Sequence, residues 1–188
     1  MIIGVDIDGT VSDFANKFTK HMADQGKHIL NKDVFKYMDD YAIYESTKTG
    51  ECFSLEFYPN AKNVLFRLKE KGHSLGFITK RGEHTITPEA KEAIRTLTKE
   101  WQQLHFYYFE GVCFAKDKSV PAKTIDIMIE DDASNANAMA PFCQVILLNR
   151  AWNRDAVLDP SIIVAENWHE VEFIIDNLSK FQVEKSTI

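Results

Sequence analysis

The sequence predicts an α/β fold built on a Rossmann-like, mostly parallel sheet, with a small helical insert after the first strand. Short apolar strands alternate with helical segments along most of the chain, and strands that are separated by helices form parallel crossovers. Clusters of polar residues follow several of the strands directly. The alternation is interrupted once, between residues 14 and 58.

Six segments carry strand signals. MIIGV and IIV are β-branched, SLGFIT and QVILL are apolar and end in polar residues, HFYYF is aromatic, and IDIMI is mostly apolar. The predicted strands are therefore residues 1–5, 74–79, 105–109, 125–129, 144–148 and 162–164.

Helical spacing of apolar residues marks the segments between the strands. A helix begins behind Pro59 and Asn60 and ends before Gly72, and a second begins at Thr87 as cap with Pro88 in its first turn. A short helix is expected from Ser134 to Ala140. The residues that define the apolar faces of the other helices are Ala61, Val64, Leu65 and Leu68, then Ile94, Leu97, Trp101 and Leu104, and finally Val171, Ile174, Ile175 and Leu178.

Residues 14–58 read as a helical insert, because Phe14, Phe18 and Met22 recur at helical spacing and no convincing strand precedes Pro59. The core domain is then made of residues 1–13 and 59–188. An insert that follows the carboxyl end of a strand overhangs the edge where open α/β sheets bind their ligands.

The composition excludes several classes of function. With 28 acidic and 22 basic side chains, the net charge of −6 repels a nucleic-acid duplex. The three cysteines are scattered and fit no metal-ligand spacing, which favours reduced thiols in the cytoplasm. No apolar run is long enough to cross a membrane, and Asp6 and Asp8 interrupt the position of a signal peptide.

Three polar clusters follow predicted strands: Asp6 and Asp8, residues 79–81, and residues 130–132. The carboxyl ends of parallel strands share one edge of the sheet, so these groups are expected to converge. Several carboxylates in one place require a cation, and hard oxygen ligands suit Mg²⁺. Asp and Gly are also ordinary turn residues, and Asp132 with Ser134 could simply cap a helix.

The string VDIDGT resembles the first motif of the haloacid dehalogenase-like (HAD) superfamily, and the resemblance covers nearly the whole chain. It implies that Asp6 is a nucleophile that becomes an aspartyl phosphate, and that Asp8 is the general acid and base. Thr79 would bind the phosphoryl oxygens. The string IEDD would complete a Mg²⁺ site with Asp6 and Asp8, with Asp131 as the favoured ligand, Glu130 assisting, and Asp132 as the alternative.

The lysine of the third motif is open among Lys116, Lys118 and Lys123. DKSV resembles a segment of cytosolic deoxyribonucleotidases, which favours Lys118. Arg81 falls where these relatives often have an arginine. Arg81 is therefore expected to contact the substrate phosphate or to gate the site, although an exposed surface arginine is an almost equal alternative. Lys80 is a further candidate for binding substrate.

Within the superfamily, the closer resemblance is to 5'(3')-deoxyribonucleotidases, through the insert, the segment FYPNAKNVLFRLKEKGHSLGFITKR and the tail LLNRAWNRD with ENWHEV. It implies a Mg²⁺-dependent phosphomonoesterase acting on nucleoside or deoxynucleoside monophosphates, and it points to a homodimer. The alternatives are a phosphatase for sugar phosphates or other small metabolites, and a catalytically silent binding protein. The insert would supply selectivity through aromatic side chains, with Phe14 and Phe18 favoured among Phe14, Phe18, Phe53, Phe57 and Tyr58.

Overall fold

A computed structural model describes residues 1–24, 26–30, 33–34, 56–83 and 87–186, with side chains given up to residue 180. Six parallel strands form one sheet in the order β3-β2-β1-β4-β5-β6. The strands are β1 (Ile2–Val5), β2 (Ser74–Thr79), β3 (Val112–Phe114), β4 (Ile127–Glu130), β5 (Gln144–Leu148) and β6 (Ile163–Ala165). The α/β class and the parallel sheet predicted from the sequence are confirmed.

Helices connect the strands. Thr87 caps the third of them as predicted, because its side chain accepts a hydrogen bond from the main-chain N–H of Ala90 and Pro88 occupies the first turn. The helices are α1 (Phe14–Asp24), α2 (Ala61–Glu70), α3 (Pro88–His105), α4 (Ser119–Ala122), α5 (Ala133–Met139) and α6 (Trp168–Ser186).

The sheet has apolar side chains on both faces, which is expected for parallel strands covered by helices. Alternate residues of each strand contribute to opposite faces. On one face, the strands pack with α2 and α6 through residues that include Ile3, Val5, Leu65, Leu68, Phe77, Ile129, Ile146, Trp168 and Ile175. On the other face, they pack with α4 and α5 through Ile78, Ala122, Met128, Ala136, Met139, Val145 and Leu147.

The prediction of a strand at residues 105–109 is wrong. His105 ends α3, and the strand lies later, where Val112 pairs with Phe77. The aromatic side chains of the run serve the core instead: the rings of Phe106 and Phe109 lie 5.2 and 4.4 Å from the ring of Phe77. Aromatic residues favour strands because they pack well on a half-buried surface, and here a turn provides that packing.

The bounds of three other predicted elements differ from the structure by one or two residues. The predicted strand at 125–129 is β4 at Ile127–Glu130, the strand at 162–164 is β6 at Ile163–Ala165, and the helix from Ser134 is α5 at Ala133–Met139. The strands at 74–79 and 144–148 have the predicted bounds. β6 lies at the edge of the sheet, as expected.

The insert leaves and rejoins the core through adjacent backbone segments. The N–H of Asp13 donates to the carbonyl of Glu56, and the N–H of Tyr58 donates to the carbonyl of Val11, both within 3.0 Å. Its first helix is α1. The insert boundaries of 14 and 58 stay a prediction, because most of the segment, including Cys52 and Phe53, lies outside the described residues.

In the described part of the chain, no helix is both long and apolar enough to span a bilayer. Cys113 is exposed, Cys143 is half-buried, and neither forms a disulfide.

An ion-pair network joins α2 to α6 across the surface of the core. The Nε atom of Arg67 donates to Glu172 at 2.9 Å, and the ammonium of Lys71 contacts Glu172 at 3.0 Å and Asp176 at 2.8 Å. The hydrogen bond from Arg67 and those from Lys71 hold the pKa of Glu172 at about 2, although its partial burial acts in the opposite direction.

We expect Glu172→Gln to lower the free energy of unfolding by about 1 kcal/mol at neutral pH, since Arg67 and Lys71 are partly solvated. The pKa of Glu172 is lower in the folded protein than its ordinary value of 4.5. The stabilisation is therefore complete above pH 4.5 and is lost as the pH falls toward about 2. Urea unfolding at a series of pH values would show the free energies of unfolding of wild type and variant converging as the pH falls.

Glu110→Gln is the matched control, because Glu110 is 63% exposed and pairs only at the surface with Lys69. Its effect should stay within about 0.5 kcal/mol. Equal losses in the two variants, or a Glu172 effect that does not depend on pH, would contradict the network.

Candidate active site

Three buried carboxylates meet at the carboxyl edge of the sheet. Asp6 follows β1, Glu130 ends β4, and Asp131 comes next in the chain. One oxygen from each lies within 4.8 Å of the others. The sheet order explains the meeting, because β1 and β4 are neighbours and the N–H of Asp6 extends their ladder to the carbonyl of Ile129.

Lys118 is the lysine that the fold brings to this cluster. Its Nζ atom lies 2.5 Å from Oδ1 of Asp6 and 2.9 Å from Oε2 of Glu130, and the residue is 3% exposed. It immediately precedes α4 on the face that Glu130 occupies. Lys116 and Lys123 are exposed, and Lys123 instead lies over the ring of Phe142.

Burial dominates the electrostatics of the cluster. It raises the pKa of Asp6, that of Glu130 to about 7, and that of Asp131 well above its ordinary value, while the Lys118 ammonium acts in the opposite direction on all three. Burial would lower the pKa of Lys118, but the charges of Asp6 and Glu130 outweigh it and raise that pKa.

These groups fit a divalent cation. One ammonium offsets only one of the three carboxylates, so two negative charges remain in a buried space. Burial without a counter-charge is costly for ionised carboxylates, which the raised pKa values reflect. A doubly charged ion would balance the remainder, and the donor set consists of carboxylate oxygens.

Asp131 is held by residues that the sequence analysis did not assign to the site. Its Oδ1 accepts from the hydroxyl of Thr10 at 2.9 Å, and its Oδ2 accepts from Nε1 of Trp152 at 2.9 Å. The main-chain oxygen accepts from Nδ2 of Asn153 at 2.7 Å. Thr10 belongs to the DIDGT string, and Trp152 and Asn153 belong to the tail string LLNRAWNRD, which are the signals that could have found them.

Gly9 permits the close approach of the β1 loop to Asp131. A Cβ atom at Gly9 would lie 2.1 Å from Oδ2 of Asp131, and the residue has a φ of +80°. Both facts exclude a side chain at this position.

Asp132 caps a helix instead of joining the acidic cluster. Its side chain accepts from the main-chain N–H of Asn135 at 2.7 Å and caps α5. Of the two aspartates between which the sequence left the choice open, the structure brings Asp131 into the acidic cluster and Asp132 to the helix end.

Asp8 lies beside the cluster and faces Arg81. The guanidinium makes a bidentate contact through Nε at 2.7 Å and Nη2 at 2.5 Å. The Asp8 side chain is therefore not brought among the three clustered carboxylates. Arg81 is not the exposed surface arginine of the alternative reading, because its side chain is 7% exposed.

The loop that carries Arg81 is fastened to α3. Glu83 accepts from Nζ of Lys91 at 2.9 Å and also pairs with Arg95. Thr79, which is 1% exposed, ends β2 and accepts from the N–H of Arg81. Lys80 is half-buried, and its side chain makes no ion pair with the acidic cluster among the described residues.

Phe14 and Phe18 are buried in the small core of the insert. Their rings stack with centroids 5.7 Å apart, and they pack with Ala15, Met22 and Val34. A contact with substrate would require this cluster to open, and their role in binding stays a prediction. Phe57 packs on Phe106 in the core.

The parallel sheet, the buried aspartates after β1 and β4, and the buried Lys118 beside Asp6 and Glu130 agree with the HAD class of phosphatases that the sequence resembles. A predicted phosphatase from Clostridium acetobutylicum has a similar structure, with a TM-score of 0.61 at 16% identity over 94% of this chain and 98% of that chain. A predicted phosphoglycolate phosphatase from Haemophilus somnus gives 0.60 at 15% over 93% and 97%. These likenesses show the fold.

The family described as 5' nucleotidase, deoxy (pyrimidine), cytosolic type C protein (NT5C) matches residues 1–182, and the chain belongs to this family. The family makes it a nucleotidase, which is a phosphomonoesterase, and implies a nucleotide substrate. The resemblance stated from the sequence is confirmed. No curated protein matches the chain.

We expect Asp131→Asn to weaken the binding of Mg²⁺ by more than about 100-fold, because removing a ligand should exceed the effect of removing a neighbour of a ligand. Asp132→Ala should leave Mg²⁺ affinity unchanged and lower the free energy of unfolding by about 1 kcal/mol, since it removes a helix cap. Isothermal titration calorimetry and urea unfolding measure the two effects.

Asp132→Ser is the control that keeps a capping oxygen while removing the charge. It should resemble the wild type in both measurements. Loss of Mg²⁺ binding in Asp132→Ser with retention in Asp131→Asn would reverse the assignment.

Proposed function

We propose that this chain hydrolyses nucleoside or deoxynucleoside monophosphates with Mg²⁺ as cofactor, through an aspartyl-phosphate intermediate. The observation that carries the proposal is the buried contact of Asp6 with Lys118 beside Glu130 and Asp131. It combines a nucleophilic carboxylate with a fixed positive charge at the place where a phosphoryl group would arrive.

In the first step, an oxygen of Asp6 attacks phosphorus and the bond from phosphorus to the ester oxygen breaks. Asp8 donates a proton to the departing oxygen, so the nucleoside leaves as an alcohol. Arg81 holds both oxygens of Asp8 in a bidentate contact, so this contact must open for Asp8 to carry the proton that it donates. The anchoring of Glu83 to α3 keeps the Arg81 loop in place.

In the second step, Asp8 takes a proton from water, and the water oxygen attacks phosphorus. The bond from phosphorus to Asp6 breaks, which releases inorganic phosphate and regenerates the carboxylate. The covalent route divides one difficult displacement into two easier ones.

The metal would be held by Asp6 and Asp131 with Glu130 assisting, and when bound it neutralises the charge of the phosphoryl oxygens. Lys118 supplies a permanent positive charge next to Asp6, because its pKa is raised above the ordinary value. The hydroxyl of Thr79, at the end of the strand next to β1, is proposed to donate to a phosphoryl oxygen.

Four finer points belong to the same proposal. The family description points to deoxypyrimidine nucleotides and to the cytosol. The insert at 14–58 would select the substrate. The candidates for binding it remain Phe14, Phe18, Lys80 and Arg81. A homodimer stays a prediction.

We expect Asp6→Asn to abolish phosphate release from every phosphate monoester, since an amide oxygen is a poor nucleophile and cannot form the acyl phosphate. The measurement is phosphate release in the presence of Mg²⁺, together with acid trapping of radiolabelled phosphate on the protein. Wild-type protein should retain label, and the variant should not.

Asp126→Asn is the matched control. Asp126 accepts a hydrogen bond from the N–H of Ile2 next to the amino end of β4, at the opposite edge of the sheet. The same substitution there should leave turnover intact. Activity that survives in Asp6→Asn would remove the mechanism, and a wild type with no Mg²⁺-dependent turnover would favour the silent binding protein.

A panel of phosphate monoesters tests the substrate class. We expect kcat/KM to be higher for deoxypyrimidine monophosphates than for ribonucleoside monophosphates, and lowest for sugar phosphates. Sugar phosphates should be lowest because they lack the base, which offers additional binding area beneath the insert. The preference for deoxypyrimidine nucleotides follows from the family description. A preference for any sugar phosphate over all nucleotides would support the metabolite phosphatase instead.

A further inference from the structure

The loop after β5 is braced directly onto Asp131. Nδ2 of Asn153 donates to the main-chain oxygens of Asp131 at 2.7 Å and Leu148 at 2.8 Å, and its Oδ1 accepts from the N–H of Arg150 at 2.9 Å. Asn153 is 5% exposed. Arg150 also donates from Nε to the carbonyl of Gly9 at 2.7 Å. The loop therefore has a fixed position relative to the strand ends that carry the acidic cluster.

Trp152 lies in this loop and contacts both Asp131 and the insert. Its Nε1 donates to Oδ2 of Asp131, and its ring closes over Gly9, where a Cβ atom would come within 2.9 Å of it. The ring also packs on the small core of the insert. That core consists of Phe14, Ala15, Phe18, Met22 and Val34.

The orientation of the Asp131 carboxylate depends on both of its hydrogen-bond donors. Thr10 holds Oδ1 from the β1 loop and Trp152 holds Oδ2 from the β5 loop. A carboxylate has further lone pairs, so these bonds leave it able to bind a cation. Since Trp152 packs on the core of the insert, a displacement of the insert would move the indole N–H that donates to this oxygen.

We propose that Trp152 is a positioning residue that couples the packing of the insert to the metal affinity of Asp131. The inference rests on the proposed function, because it requires Asp131 to bind the metal. The Trp152 side chain therefore contacts both the insert, which is proposed to recognise the substrate, and Asp131, which is proposed to hold the cation.

The test is the affinity for Mg²⁺ alone, measured by isothermal titration calorimetry without substrate. Trp152→Phe keeps an aromatic ring against the insert and removes the donor, and it should weaken Mg²⁺ binding by about 10-fold. Trp168→Phe is the matched control. Trp168 is buried and donates to the main-chain oxygen of Thr10 instead of to a carboxylate, so affinity should remain within about twofold.

Met22→Ala tests the connection to the insert. Met22 lies on α1, is 6% exposed and belongs to the core of the insert. We expect it to weaken Mg²⁺ binding severalfold in the wild-type background and to add nothing in the Trp152→Phe background, because neighbours that act through one group are not additive. Equal effects in both backgrounds, or none in either, would overturn the coupling.

A measurement on the wild type avoids any dependence on the folding of variants. The indole N–H resonance of Trp152 should shift when Mg²⁺ is added, whereas that of Trp101, in the aromatic cluster around Phe77, should not. An unmoved Trp152 signal, or equal weakening by Trp152→Phe and Trp168→Phe, would overturn the inference. If Asp131→Asn binds Mg²⁺ as the wild type does, the metal assignment of the proposed function fails instead.

Discussion

The charge balance of the buried acidic cluster is the constraint on which the rest of this structure depends. Asp6, Glu130 and Asp131 share a space from which solvent is largely excluded, and Lys118 is the one cationic side chain that pairs with them in the described part of the chain. A buried charge that lacks a partner costs several kcal/mol. Lys118 offsets one of the three charges and a cation would offset the other two, so the same feature is both a constraint on the fold and a candidate binding site.

The parallel topology explains how residues far apart in the chain reach this space. β1 and β4 are neighbours, so their carboxyl ends deliver Asp6 and Glu130 side by side, and α4 delivers Lys118 to the face of the sheet that Glu130 occupies. The loops after β1 and β5 then close around Asp131 through Thr10 and Trp152. The surrounding loops thus fix the orientation of the Asp131 carboxylate, as the neighbours of metal ligands do.

Strands with apolar sequences and polar ends could be predicted well, because hydrophobicity and turn residues are local properties. Residues 74–79 and 144–148 are strands with the predicted bounds. The run at 105–109 could not be predicted, because its aromatic side chains pack around Phe77 from a turn. Lys118 could be favoured over Lys116 and Lys123 only by resemblance, since burial depends on how α4 lies against the sheet.

The sequence by itself determined the fold class, the family and the convergence of acidic residues at one edge, because strand alternation and short motifs are written in consecutive residues. Only the tertiary structure decided that Asp131 joins the cluster while Asp132 caps a helix, and that Arg81 holds Asp8. Only the structure placed Trp152 between the insert and the cluster. These are choices among chemically similar residues, and they depend on which side chain the packed backbone directs inward.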